Sequence, residues 1–395
     1  MKKPNRLVLA ACGLGIAASL IGVGTANADP TAPPANAFDR PLQGEGSDTT
    51  EEVMNGLSEV VVDGSGNKLF ASWNAKSSSG FTTRSAANTP AGSNCVYSGN
   101  PTPNSAYLEG ARANGSTNGQ KALRDAFQNS GGAQVTFGCL DFARSSSAAS
   151  AANLGTVAVA QIPLASDSLT FALTRTSVIP RQLTAQALKD AYHCIGGGFA
   201  NNTWKAVIPQ AGSGTRSSWL SKVGLTEAEL APAGSLPCVT DQADLGARGG
   251  PNPLNEHDAR SLNNTAIVPF STAQWIAMMG GAVSDLRGSS MLGTIKNTAT
   301  SAELSYPVSL NPGYGDLVGT ADDLILGRTV YNLVPQKTLT GGATPNATSI
   351  LVFEDTDSGA ANTSLICAQS AVLRKFGLAP ISTCGNTSTI VNPQP

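Results

Sequence analysis

Val207-Ile208-Pro209-Gln210-Ala211-Gly212-Ser213-Gly214-Thr215-Arg216 is the stretch whose reading decides the fold. A short apolar pair runs into a glycine and hydroxyl turn, and residues Ser217–Val223 then read as a helix. Strand, glycine turn and helix form the building unit of an α/β sheet. The unit recurs at Ile267-Val268, which leads into a helix over Thr272–Met279. A third approach to a helix is Gly44-Glu45-Gly46-Ser47-Asp48-Thr49-Thr50, after which Val53, Met54, Leu57 and Val61 have helical spacing. Working outward, Leu183–Tyr192 reads as a helix capped by Thr184, and Gln120–Asn129 as a short one. Val157–Val159 and Leu169–Leu173 read as two buried strands, and Val135, Phe137 and Cys139 alternate as another. The expected class is α/β, not a β sandwich.

The two glycine-hydroxyl turns also carry the expected chemistry. A helix's first turn has backbone N–H groups with no intrahelical acceptor, and its dipole favours an anion there. Glycine lets the backbone approach, and serine or threonine hydroxyls add donors. Each turn is equally readable as an ordinary N-cap, and Asp48 with Glu51 has capping-box spacing. Their occurrence together in one chain points to an oxyanion site.

The N-terminus reads as an export signal. Lys2, Lys3 and Arg6 precede an apolar run from Leu7 to Val23, and Thr25-Ala26-Asn27-Ala28 offers a cleavage site after Ala28. Leu9-Ala10-Ala11-Cys12 matches the tetrapeptide at which bacterial lipoproteins are cut, but it precedes most of the apolar run. A secreted or cell-wall-associated protein is therefore expected, with residues 29–37 as a flexible leader. Removing three of the 25 basic residues leaves 22 against 27 acidic ones, a net charge of −5. That balance, without a basic stripe, excludes nucleic acid as the expected partner.

Loss of Cys12 leaves Cys95, Cys139, Cys194, Cys238, Cys367 and Cys384, an even set in an exported chain. About fifteen pairings are open in principle. Neighbour pairing, Cys95–Cys139, Cys194–Cys238 and Cys367–Cys384, closes each loop within one region. No CxxC or His/Cys cluster suggests a metal, and no cofactor is expected.

Further segments resemble, in order, the substrate-binding proteins of phosphate ABC transporters, which have a two-lobed type II periplasmic-binding fold. Gly46-Ser47-Asp48-Thr49-Thr50 is similar to the segment that opens that family's first helix, and Ser77-Ser78-Ser79-Gly80 to its next serine-rich turn. Asp141-Phe142-Ala143-Arg144-Ser145-Ser146 is similar to a strand ending in a ligand-binding serine. Leu183-Thr184, Tyr192, Gly196 and Trp204 follow in family order, and Gly212–Thr215 matches the Gly-Ser-Gly-Thr loop. The resemblance covers about residues 44–220, with weaker likeness beyond.

The resemblance implies phosphate or a related oxyanion held in an interlobe cleft, uptake through an ABC permease, and a monomer. It implies one lobe from 38–168 plus 329–395, and another from 169–328. The implied ligand-binding set is Ser47, Asp48, Thr49, Ser78, Arg144, Ser145, Ser146, Ser213, Gly214, Thr215 and Arg216, to which the position of His257 in a polar loop adds a further candidate. Two departures bear on selectivity. Ser146 stands where many phosphate binders have an aspartate, and Pro209 where they have an arginine, with Arg144 and Arg216 as the nearby cations.

Two rivals come from other classes. A phosphate-ester or acyl-ester hydrolase would need Ser213 or Ser47 as nucleophile and His257 as base. Ser213 lacks the Gly-x-Ser-x-Gly elbow, because Ala211 and Thr215 occupy its glycine positions. A surface adhesion or scaffold protein would suit the long Gly/Ser/Asn-rich loops.

Overall fold

The computed structural model describes residues 37–75, 81–93, 95–97, 112–128, 137–231, 235–296, 298, 327–356 and 362–392. The signal segment 1–28, the leader up to residue 36, Cys12, Ser78 and Val135 lie outside the described residues.

The strands in chain order are β1 (Leu42–Gly46), β2 (Phe70–Ser72), β3 (Phe81–Thr82), β4 (Val96–Tyr97), β5 (Phe142–Ser145), β6 (Val159–Thr174) and β7 (Gln182–Thr184). They continue as β8 (Lys205–Val207), β9 (Val239–Thr240), β10 (Ala266–Ser271), β11 (Ser290–Leu292), β12 (Thr294–Lys296), β13 (Gly327–Pro335), β14 (Ala379–Pro380) and β15 (Ile390–Val391). Eleven of them form one mixed sheet whose main path is β2-β1-β5-β13-β6-β10-β8-β9. The α/β class read from the sequence is the class observed.

The 16-residue β6 organises this sheet. Residues 159–168 of β6 pair with β13, and residues 169–173 pair with β10. Where two strands were expected, at Val157–Val159 and Leu169–Leu173, there is one continuous strand. The polar run Ser166-Asp167-Ser168 reads as a break, yet Asp167 and Ser168 are buried because Arg328 on β13 pairs with Asp167 at 2.8 Å. The pairing with β13 slips between Val330 and Tyr331, opposite Pro163. Proline offers no ladder N–H, so a bulge there leaves no donor missing.

Three strands run into helices, one in the β1 half of the sheet and two in the half beyond β6. β1 and β5 pair in parallel, as do β8 and β10. β1 enters the helix Glu51–Val60 through a 3-10 turn at Asp48–Thr50. β8 leads to the helix Gly214–Val223, and β10 to Thr272–Met279. The first helix buries Val53, Met54 and Leu57 on one face, against Phe70, Phe142 and Phe353. The helices Ala185–Tyr192 and Gly214–Val223 pack around a second cluster with Tyr192 and Trp219 in edge contact at 5.7 Å.

Caps account for several helix starts. Thr184 accepts from the Ala187 amide, Ser213 from Arg216 and Ser271 from Gln274. The expected Asp48 to Glu51 capping box is not formed. Glu51 instead accepts the Ala75 amide at 2.6 Å and lies 3.7 Å from Arg144. The helix placed at Gln120–Asn129 spans Ser116–Phe127. Phe137–Cys139 form a turn, not a strand; the nearby strand is Phe142–Ser145. The disulfide there fixes Cys139 to Cys95 across the turn, and the other two pairs are Cys194–Cys238 and Cys367–Cys384, as neighbour pairing predicts.

Candidate functional site

The carboxyl ends of β1, β5 and β8 bring hydroxyls from distant segments into one buried cluster. Ser47 donates to Ser146 Oγ at 2.9 Å, and Thr49 lies 3.2 Å from the same oxygen. Ser116, at the start of its helix, lies 3.3 Å from Ser146 Oγ and accepts the Ser146 amide at 2.9 Å. Thr215 Oγ1 stands 3.3 Å from Thr49 Oγ1. Ser47, Ser116, Ser146 and Thr215 are each 0% exposed.

Two glycines make this approach possible. Gly46 has φ +132°, and a Cβ there would lie 2.4 Å from the Arg144 carbonyl. A Cβ on Gly214 would lie 2.2 Å from both Ser116 Oγ and Ser146 Oγ. The helix beginning at Gly214 can therefore press against the hydroxyl cluster only while that residue lacks a side chain.

Charge enters from β13 and from the loop 255–258. Arg328 reaches Thr49 Oγ1 at 3.2 Å and the Ser146 carbonyl at 3.4 Å, while its Nε holds Asp167 at 2.9 Å. Glu256 accepts hydrogen bonds at Oε2 from Thr49 at 2.9 Å and Thr215 at 3.2 Å. His257 Nε2 lies 3.1 Å from Thr49 Oγ1 and 3.3 Å from Glu256 Oε2. Burial alone would raise the Glu256 carboxyl, but His257, Ser213 and Arg328 outweigh it and hold the group well below the usual carboxylate range. His257 sits at φ +59°, a left-handed conformation that a non-glycine residue adopts with strain.

A hydroxyl has one proton and two lone pairs, so Thr49 cannot satisfy all its neighbours at once. The anionic acceptor that meets Thr49 and Thr215 is the Glu256 carboxylate, and Asp167 holds Arg328 from behind. The surroundings suit an oxyanion and none of the described residues forms a group of three or more metal-ligating side chains.

Among the expected site residues, the structure brings together Ser47, Thr49, Ser146, Thr215 and His257, with Gly214 against them. Ser213 is next to the cluster and caps its helix. Asp48 lines an adjacent cavity instead. Ser145 turns away, donating to the Ser147 carbonyl at 2.7 Å. Arg144 is 0% exposed, and its guanidinium binds Ser72, the Trp73 carbonyl and the Ser47 carbonyl behind the cluster. Arg216 points away to form ion pairs with Glu227 at 2.7 Å and Asp241 at 3.1 Å. Sequence reasoning missed Ser116, Glu256 and Arg328. Glu256 had one signal, its position next to His257 in the same polar loop; the other two had none in the sequence.

No protein-family model matches the chain, and no curated protein matches it. Solved structures do show likeness. An ABC-type phosphate transport receptor from Vibrio cholerae is 13% identical with a TM-score of 0.43, over 86% of this chain and 99% of that one. A phosphate-binding protein from Stenotrophomonas maltophilia is 14% identical with a TM-score of 0.45, over 87% and 91%. PfluDING, a high-affinity periplasmic phosphate-binding protein solved with phosphate, is 13% identical with a TM-score of 0.46, over 87% and 91%.

Proposed function

We propose that this chain is an exported solute-binding protein that holds phosphate or a related oxyanion between two lobes, residues 38–168 with 329–395 and residues 169–328. The carrying observation is that hydroxyls from four segments, with Arg328, surround a buried carboxylate. The cluster is able to hold an oxyanion because it already holds one of its own. Ligand would replace the Glu256 carboxylate on Thr49 and Thr215, with Ser47, Ser116 and Ser146 as further donors. Closure of the lobes is then a hinge motion, and delivery to an ABC permease by a monomer is the role that fits an exported receptor.

The hydrolase reading has less support. In a Ser-His-acid triad the acid orients one imidazole nitrogen while the other faces the nucleophile. Here Nε2 of His257 faces both the Thr49 hydroxyl and Glu256, and Nδ1 has no hydrogen-bond partner among the described residues.

Calorimetric titration of the signal-free protein with phosphate and then sulfate, from pH 5 to 8, tests the proposal. Phosphate binding that is lost in Thr215→Ala and Ser47→Ala is the expected result. No heat with any oxyanion from folded protein would overturn it.

A further inference from the structure

Beside the hydroxyl cluster lies a cavity of about 250 Å3, lined among others by Asp48, Glu52, Asn74, Glu256, His257 and Asp258. Glu256 and His257 belong both to its wall and to the hydroxyl cluster. The carboxylates that line it are Asp48, Glu51, Glu52, Glu256 and Asp258; the cationic or titratable partners are His257 and Arg260. Asp258 is paired with Arg260 at 2.7 Å, and Glu51 lies 3.7 Å from Arg144. Glu52 has a weak 3.4 Å hydrogen bond from Gln274. Among the described residues, the buried wall atoms without a hydrogen-bond partner include Glu256 Oε1 and His257 Nδ1, on residues only 4% and 5% exposed. Burial, with the charge of Asp48 adding, raises the Glu52 carboxyl to about 7, against the opposing effects of Gln274 and Arg144.

An incoming oxyanion meets a specific difficulty. To reach Thr49 and Thr215 it must displace the Glu256 carboxylate towards a cavity where four further carboxylates face only His257 and Arg260 among the lining residues. A buried charge stripped of its partner is strongly unfavourable. A ligand that brings its own cation removes the difficulty, because the displaced carboxylate and Glu52 then have something to bind. The space is suitable: a water takes about 30 Å3 of liquid volume, so the cavity holds several, more than a bare ion fills.

Resting on the oxyanion reading above, we propose that this cavity is an ammonium subsite, and that the ligand is a small zwitterion joining a phosphoryl or phosphonyl group to an alkylammonium. The oxyanion takes the hydroxyls and Arg328; the ammonium takes Glu256, Glu52 and the acidic wall.

The test is calorimetry of the signal-free protein with inorganic phosphate, methyl phosphate, ethanolamine phosphate and glycerophosphoethanolamine. We expect ethanolamine phosphate to bind at least tenfold tighter than methyl phosphate, and Glu52→Gln to erase that gain while methyl phosphate binding persists. A gain for glycerophosphoethanolamine instead would equally support the subsite and assign a lipid-derived diester as its source. Equal affinity for methyl phosphate and both zwitterions in the parent protein would overturn the ammonium subsite and leave the oxyanion reading standing. No binding of any of the four would overturn both. The comparison of ligands needs no variant, so a poorly folded Glu52→Gln does not blunt it.

Discussion

The Glu256 carboxylate accepts a hydrogen bond from the Thr49 hydroxyl at 2.9 Å, across 207 positions of sequence. One oxygen thus ties the turn after β1 to the loop that precedes β10. The same bond places a negative charge on the donors that an oxyanion needs. Glu256→Gln keeps the shape and removes the charge. Its affinity for inorganic phosphate is expected to rise about tenfold or more, the equivalent of ~1.4 kcal/mol. Titration calorimetry at pH 7 checks it, and weaker binding would mean that the carboxylate itself belongs to the ligand's partners.

Gly214→Ala tests the close approach of helix to hydroxyls. A methyl group there would lie 2.2 Å from Ser116 Oγ and Ser146 Oγ, so those side chains must move. Overpacking of this kind costs about 1–3 kcal/mol. Oxyanion affinity should drop on the order of 100-fold if most of that strain falls on the site. Binding and thermal unfolding measured together separate the two effects.

Arg328→Ala leaves Asp167, whose side chain is 0% exposed, without its cation. The Ser271 hydroxyl and Ala273 amide still donate to it, at 2.8 and 3.1 Å. Breaking a buried pair from one side costs about 3–5 kcal/mol. Urea unfolding should show a loss of that size, and affinity for phosphate should fall with it.

Glu45 predicts the pH dependence of stability. Burial raises its carboxyl to about 7, against the opposing effects of Arg112, the Ala113 amide and Arg144. The folded chain therefore keeps a proton that the unfolded chain releases near pH 4.5. Stability falls as pH rises from about 4.5 to 7, and the loss is complete above that, on the order of 3 kcal/mol. Glu45→Gln should match the parent near pH 4 and exceed it at pH 8 in denaturant titrations.

Each disulfide should matter more, though only logarithmically, the longer the loop it closes. The Cys194–Cys238 pair spans 44 residues and Cys367–Cys384 spans 17. Chain entropy gives about 4 and about 3 kcal/mol respectively. Paired serine variants unfolded in urea check both the size and the order.

Much of the site was legible because its turns carry local signals. Glycine with hydroxyls before a helix marked Ser47–Thr49 and Gly212–Thr215, and cysteine order marked the disulfides. Arg144 and Arg216 show where such reading stops. Both sit next to site residues in the chain, but Arg144 lies on a strand whose side chain faces inward to carbonyls behind the cluster. Arg216 lies on another face of a helix whose Thr215 faces the cluster, and is buried there against Asp241. Neighbours in sequence point in different directions on a helix or strand.

The sequence by itself determined the α/β class and the glycine-hydroxyl turns at Ser47–Thr49 and Gly212–Thr215, because those follow from contacts among nearby residues. The tertiary structure alone decided that β6 runs unbroken, that Arg328 reaches Thr49 and Ser146, and that Glu256 accepts from Thr49. Each of these depends on a pairing across more than 100 residues. Such pairings are set by which strands lie side by side in the sheet, and no local pattern encodes that.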